Sequence, residues 1–293
     1  MKILVTGAKG QLGHDVINEL KSREHEAVGV DIAEMDITEE ESVKSVINEV
    51  RPDAVIHCAA WTAVDEAEDC PEKVHKVNAA GTQYIASACK ELGCKMMYIS
   101  TDYVFDGQGE LPWDPDCKDY QPLNVYGQSK LDGELAVANT LTNYFIVRIA
   151  WVFGLNGNNF IKTMLNVGKK FDTLRVVNDQ IGTPTYTLHL ARLLVDMIET
   201  EKYGYYHATN EGGYISWHEF ACEIFRQAAE LGHSEYSKER LTVNAVTTKE
   251  YGLSKAKRPF NSRLDKSKLA ANGFTPLPDW KEALHHYLQS IDF

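Results

Sequence analysis

Five short apolar runs alternate with longer stretches of helical periodicity along the first half of the chain. The runs are residues 2–6, 26–30, 54–58, 95–99 and 145–149, and their length and β-branched content read as buried strands. Between them, residues 11–23, 39–49, 71–92 and 126–140 read as helices. Gly93 stands where a helix ending at Leu92 needs a C-cap. Near-continuous apolar strands alternating with helices predict an α/β, Rossmann-like doubly wound fold, its parallel sheet covered on both faces. Ligands of such sheets bind outside the carboxyl ends of the strands. Ala59, Ala60 and Trp61 follow the third run, Ser100 and Thr101 the fourth, and Trp151 the fifth.

After Trp151 the pattern loosens. A Gly/Asn-rich turn at 154–159 leads into a helix, and 179–185 reads as a loop. Ser216, with Glu219 three residues on, predicts a capping box opening a helix over 216–231. Residues 259–264, Pro276 and Pro278 mark irregular connections. Residues 185–200 and 204–209 are expected to return to the main sheet. The domains are then discontinuous: 1–150 plus about 185–210 for a dinucleotide, and about 151–184 plus 211–293 as a smaller substrate-binding domain.

The glycine-rich stretch after the first run gives the sheet a candidate ligand. Gly7 permits a tight turn, Gly10 lets backbone approach a pyrophosphate, and Gly13 lets the next helix pack closely. The helix start at Gln11 and Leu12 offers free N–H groups to phosphate. Spacing is Gly-x-x-Gly-x-x-Gly, not the general Gly-x-Gly-x-x-Gly. Asp31 ends the second run, 18 residues beyond Gly13, where a carboxylate can accept hydrogen bonds from an adenosine ribose and would repel a 2′-phosphate. Asp36 and Ile37 suit an adenine-side contact, or Asp36 opens the next helix.

Tyr126 and Lys130 stand four apart on one helix face, a spacing that also arises on solvated helices. An ammonium beside a phenol lowers the phenol pKa, so the pair is expected to make Tyr126 a proton donor or acceptor near neutral pH.

Composition sets bounds on these readings. The 293 residues are 44% hydrophobic and 25% charged, as in soluble globular proteins. A net charge of −12 argues against a nucleic-acid partner. The six cysteines show no metal-ligand spacing, and His57 and the His285–His286 pair read as structural or surface residues, so no metal site is expected. No signal-like or membrane-length apolar run is present, so the chain is expected to be cytoplasmic, with neither disulfides nor a membrane partner.

Together the motifs carry a resemblance. TGxxGxxG at 6–13, CAAWTAVDEAE at 58–68, STDYVFDG at 100–107 and PLNVYGQSK at 122–130 resemble the extended short-chain dehydrogenases/reductases. With RIAWVFG at 148–154, GNNF at 157–160, DQIGTPT at 179–185 and RPFNSRLD at 258–265, nearly the whole chain is similar to the dTDP-4-dehydrorhamnose reductase family. The resemblance implies NADH or NADPH as cofactor and reduction of the C4 ketone of a dTDP-6-deoxy-4-hexulose to dTDP-L-rhamnose. It implies Tyr126 as proton donor, Lys130 as its partner and a ligand of the nicotinamide ribose, and Thr101 (with Ser100 as rival) at the carbonyl. By motif position Ala59, Ala60 and Trp61 fall to the cofactor. Val64, Asp65, Asp102, Trp151, Asn159, Gln180 and Arg263 fall to the substrate, Arg263 as a diphosphate ligand. Some relatives use Mg²⁺ at a dimer contact; this sequence places no ligands for it, and a homodimer is left open.

Three other readings share the scaffold. A 4,6-dehydratase needs an acid after the threonine-aspartate step, where this chain has Tyr103. An epimerase would return hydride to the sugar and keep its cofactor. A regulatory subunit of methionine adenosyltransferase resembles these reductases and acts by binding; intact Thr101, Tyr126 and Lys130 favour catalysis over it.

Overall fold

The computed structural model describes residues 1–293. Its centre is a six-stranded sheet, parallel throughout, in the order Gly204–His207, Tyr144–Ile149, Lys95–Thr101, Ala54–His57, Lys2–Thr6, Glu26–Val30. The first strand lies beside both the second and the third, so the winding reverses there and opens a crevice at their carboxyl ends. The expected return to the sheet occurs at Gly204–His207, which pairs with the fifth strand.

Alternation along each strand fills two cores. Ile3 and Val5 face helices Gln11–Ser22 and Thr187–Ile198, packing with Val16, Leu20, Leu190 and Leu194. Leu4 faces the other way, into the core shared with Glu40–Val50, Gly81–Leu92 and Val125–Thr140 through Val43, Ile47, Ile85 and Val137. Burial at about 2 kcal/mol per large aliphatic side chain makes these faces the main source of stability.

The helix expected over 71–92 is broken into three pieces. Pro71–His75 and Gly81–Leu92 are α-helical, and Lys76–Ala80 between them is a π-turn. Periodicity over 22 residues does not register one widened turn. The turn aims buried Asn78 at the crevice, where its side chain accepts from Trp61 N (2.7 Å) and donates to Trp61 O (3.1 Å). Gly93, with φ +77°, ends the last piece: its N–H donates to Lys90 O and that of Cys94 to Cys89 O, a Schellman closure in which the two buried thiols supply the apolar contact.

The remaining segments pack around Phe153, Ile161, Leu165, Phe220, Trp280 and Tyr287. Residues 179–185 are not simply a loop: Ile181–Gly182 pairs with Ile215–Ser216, and Thr185–Tyr186 with Val152–Phe153. Two-residue bridges are too short to leave a period in the sequence. Ser216 and Glu219 form the capping box of Trp217–Glu230, each accepting from the other's backbone N–H. No helix is long and apolar enough to cross a membrane.

Candidate active site

The glycine-rich turn is shaped by close approach. Gly7 sits at φ +65° with its neighbour Ala59 so near that a Cβ would stand 2.8 Å from Ala59 N. A Cβ on Gly13 would stand 2.1 Å from Gly7 O, so only glycine lets the helix meet the turn. Beside the turn lies a cavity of about 260 Å³. Of the residues expected at a cofactor, Gly7, Asp31, Asp36, Ile37, Ala59 and Ala60 line it. Gly10, Gln11, Leu12, Gly13 and Trp61 stand off its wall: Leu12 is in the core, and Gln11 Oε1 accepts from Asn159 Nδ2 at 3.2 Å.

Asp31 is held by backbone, Oδ2 accepting from Lys9 N (3.1 Å) and Oδ1 from Ile32 N (3.0 Å). Lys9 Nζ lies 3.4 Å from Glu34 at the cavity's rim. Asp36 accepts from both the N–H and the hydroxyl of Thr38, and these bonds hold its carboxyl below the usual range.

Two features bring Tyr126 to the end of the fourth strand. Asn124 caps Val125–Thr140, its Oδ1 accepting from Gly127 N at 2.7 Å. Gly127 lets the helix touch the turn after that strand; a Cβ there would lie 2.3 Å from Tyr103 O. Tyr126 thus meets Tyr103 edge to face, with centroids 5.4 Å apart, and its phenol lies close enough to the Thr101 hydroxyl for that group to oppose the rise in its pKa. Thr101 Oγ1 also donates to buried Asp102 (3.0 Å) and accepts from Tyr103 N (3.2 Å). Burial pushes the Asp102 carboxyl up to about 6. Ser100, the rival of Thr101, is buried and its hydroxyl has no partner.

The expected effect of Lys130 on Tyr126 is corrected by the geometry. Burial raises the Tyr126 phenol above its ordinary value, and the opposing influence is the Thr101 hydrogen bond, not Lys130. Lys130 Nζ instead donates to Ile99 O at 2.8 Å and lies 4.0 Å from the Tyr98 ring centre. Burial pushes this ammonium down to about 7, against the pull of Glu134 one turn on. His57, in the same layer, bonds Thr6 Oγ1 (2.7 Å) and Thr82 Oγ1 (3.1 Å), and burial pushes its imidazole down to about 3, so it is neutral.

A larger cavity of about 880 Å³ lies between the sheet and the smaller lobe. Ala59 and Ala60 line the first cavity and residues 62–66 the second, so one stretch of chain joins the two. Asn78 fixes its midpoint at Trp61 and donates to Ser129 Oγ (2.9 Å) on the Tyr126 helix.

Of the expected substrate residues, Val64, Asp65 and Gln180 line this cavity. Arg263 does not; its Nη1 donates to Asn261 Oδ1 at 3.0 Å, and the lining arginines are Arg175 and Arg258. Periodicity cannot tell which of several loop arginines will face inward. Asn159 caps Phe160–Gly168 and bonds Tyr287 and Gly154 rather than lining the cavity. Asp65 lines the wall, yet both its oxygens accept from residues 255–258. Trp151 takes φ +51°, strained for a bulky residue, and stacks on Trp217 with centroids 3.8 Å apart. Trp217 lines the cavity and was missed in sequence, where it reads only as the first residue after an N-cap. No group of three or more His, Cys, Asp or Glu side chains is arranged to hold a metal ion.

A cavity at the switch point of a six-stranded parallel sheet, with Thr101 at the end of the fourth strand and Tyr126 and Lys130 on the helix after it, is the architecture of the extended short-chain dehydrogenases/reductases. The family described as RmlD substrate binding domain matches residues 1–293, and the chain belongs to it. It is 40% identical over 291 residues to the dTDP-4-dehydrorhamnose reductase of Aggregatibacter actinomycetemcomitans, covering 97% of each chain. Two solved dTDP-4-dehydrorhamnose reductases share the fold at TM-score 0.92. One is from Clostridium acetobutylicum (41% identical, 99% of each chain covered), the other from Bacillus anthracis in complex with NADP (40% identical, 99% of this chain and 100% of that one).

Proposed function

We propose that this protein is an oxidoreductase that uses NADH or NADPH to reduce the C4 ketone of dTDP-4-dehydrorhamnose, giving dTDP-L-rhamnose. The observation that carries the reading is that residues 59–66 border both cavities, while Tyr103, in the wall of the larger one, packs edge to face on Tyr126. The family and the activity named for its relatives supply the substrate.

Gly7, Asp31, Asp36, Ala59 and Ala60, which line the smaller cavity, would hold the dinucleotide, Asp31 toward its ribose and the glycine turn toward its pyrophosphate. The nicotinamide supplies hydride. The chain's own residues handle the proton and the developing charge. Tyr126, kept protonated by burial, donates to the ketone oxygen, and Thr101 stabilises the charge forming there. Lys130, whose Nζ reaches Ile99 O, would hold the nicotinamide ribose. The nucleotide-sugar occupies the larger cavity. Arg175 and Arg258 stand in its wall for the diphosphate, and Arg258 Nη1 is buried with no partner. The divided chain, 1–150 plus about 185–210 for the dinucleotide and the rest for the sugar, follows this split.

The test is turnover of enzymatically made dTDP-4-dehydrorhamnose, followed by loss of reduced-nicotinamide absorbance with the product identified by NMR. Stoichiometric formation of dTDP-L-rhamnose is the expected result. Cofactor binding without oxidation would reject this reading.

A further inference from the structure

Three segments meet at the start of the Tyr126 helix. Asn124 is a buried N-cap whose Oδ1 accepts from Gly127 N, while its Nδ2 donates to Lys257 O at 2.8 Å. Glu68 Oε1 accepts from the next free amide, Val125 N, at 2.9 Å. One turn back on that segment, Asp65 accepts from Lys255 N (3.1 Å), Ala256 N (2.9 Å) and Arg258 Nη2 (2.8 Å), and Asp69 pairs with Lys255. Residues 255–258 are therefore fastened both to 65–69 and to the cap of the Tyr126 helix. The same segment carries the cavity wall, because Tyr251, Ser254 and Arg258 line it.

Capping alone does not call for asparagine. Serine and aspartate cap about as well, and Ser216, Thr247 and Asp279 do so elsewhere in this chain. Asparagine is the strong capping residue whose acceptor and donor sit on separate atoms, so it can cap with Oδ1 while Nδ2 donates to the sugar-side segment. Tyr126 lies two residues inside the helix, in the first turn, where unsupported ends fray.

We propose that Asn124 is a positioning residue that ties the seating of residues 255–258 over the sugar cavity to the placement of Tyr126. The inference rests on Tyr126 being the proton donor. A loop seated by substrate holds Lys257 O in place, and through Asn124 that fixes the turn carrying the phenol. With the tether cut, the helix stays capped, but the turn and the loop move independently.

Asn124→Asp keeps an oxygen for Gly127 N and has no donor for Lys257; Asn124→Ser keeps the oxygen, its single short hydroxyl unable to serve the cap and Lys257 O at once; Asn124→Ala loses both. In the serine variant, amide exchange at residues 255–258 should rise about threefold or more as the wall loosens. Turnover should fall about tenfold through a misplaced donor, with affinity for the reduced cofactor and the thermal midpoint close to wild type. The aspartate variant repeats the measurement should serine fold poorly. If serine and aspartate match wild type in exchange or turnover and only alanine is impaired, Asn124 is a cap and nothing more, and the proposal fails. A matching loss of cofactor affinity would also overturn it. Tyr126→Phe, assayed alongside, separates the two levels. Wild-type turnover there rejects the proton-donor reading and the positioning role together. Unchanged exchange in Asn124→Ser rejects the tether alone.

Discussion

Lys130 Nζ donates to the main-chain carbonyl of Ile99 at 2.8 Å, beneath the strand end that carries Thr101, and not to the phenol four residues before it. The ammonium is buried and its folded-state pKa lies near 7 against an ordinary 10.5. Burial makes its charge a cost, offset in part by Glu134.

Lys130→Met should therefore abolish cofactor binding and turnover while stabilising the empty fold. Between pH 7 and 10.5 the unfolded chain binds the proton that the folded chain has lost, so this lysine's contribution to stability rises with pH across that window. At about 1.4 kcal/mol per unit the difference reaches several kcal/mol as an upper bound. Thermal midpoints of wild type and Lys130→Met should differ most near pH 7 and converge toward pH 10. A constant difference across that range would contradict the buried-ammonium account.

Tyr126→Phe should lower turnover about 10²- to 10⁴-fold with little effect on folding, since it removes a single hydroxyl and keeps the ring that packs on Tyr103. Thr101→Val should cost about 10²-fold by removing the hydroxyl that would turn its proton from Asp102 to the developing oxyanion. Steady-state kinetics with the dTDP-4-keto sugar measure both, and the binding of reduced cofactor should be retained in each.

Cofactor choice is predicted from Asp31. Its carboxylate repels a 2′-phosphate, whereas exposed Lys9 at the rim attracts one. NADH should bind more tightly than NADPH, and Asp31→Asn should move the ratio toward NADPH by about tenfold, one such change being about 1.4 kcal/mol. Fluorescence titration with each cofactor reads this out. A strong NADPH preference in wild type would show that Lys9 outweighs Asp31.

Trp217→Ala should remove the stacking partner of Trp151 and one wall of the sugar cavity. Stability should fall by about 2–3 kcal/mol, somewhat less than for a fully buried tryptophan. KM for the nucleotide-sugar should rise while cofactor affinity stays unchanged. Parallel losses for both ligands would argue for a general unfolding of the lobe.

The local chemistry of the chain was enough to read the strands, the glycine turn, the Gly93 cap and the Ser216–Glu219 box. Each depends on residues a few positions apart, and so did the Tyr126–Lys130 spacing and the acid ending the second strand. Only the tertiary structure decided where long side chains point. Lys130 turns to Ile99 O, Arg258 and not Arg263 faces the cavity, Asn159 spends itself on a cap, and Asp65 holds the 255–258 segment. The π-turn that aims Asn78, the strained Trp151 on Trp217 and the tether from Asn124 to Lys257 escaped sequence reasoning for the same reason. Periodicity reports the face of an element, whereas these contacts arise between segments as much as 193 positions apart and depend on burial and competing partners that packing alone supplies.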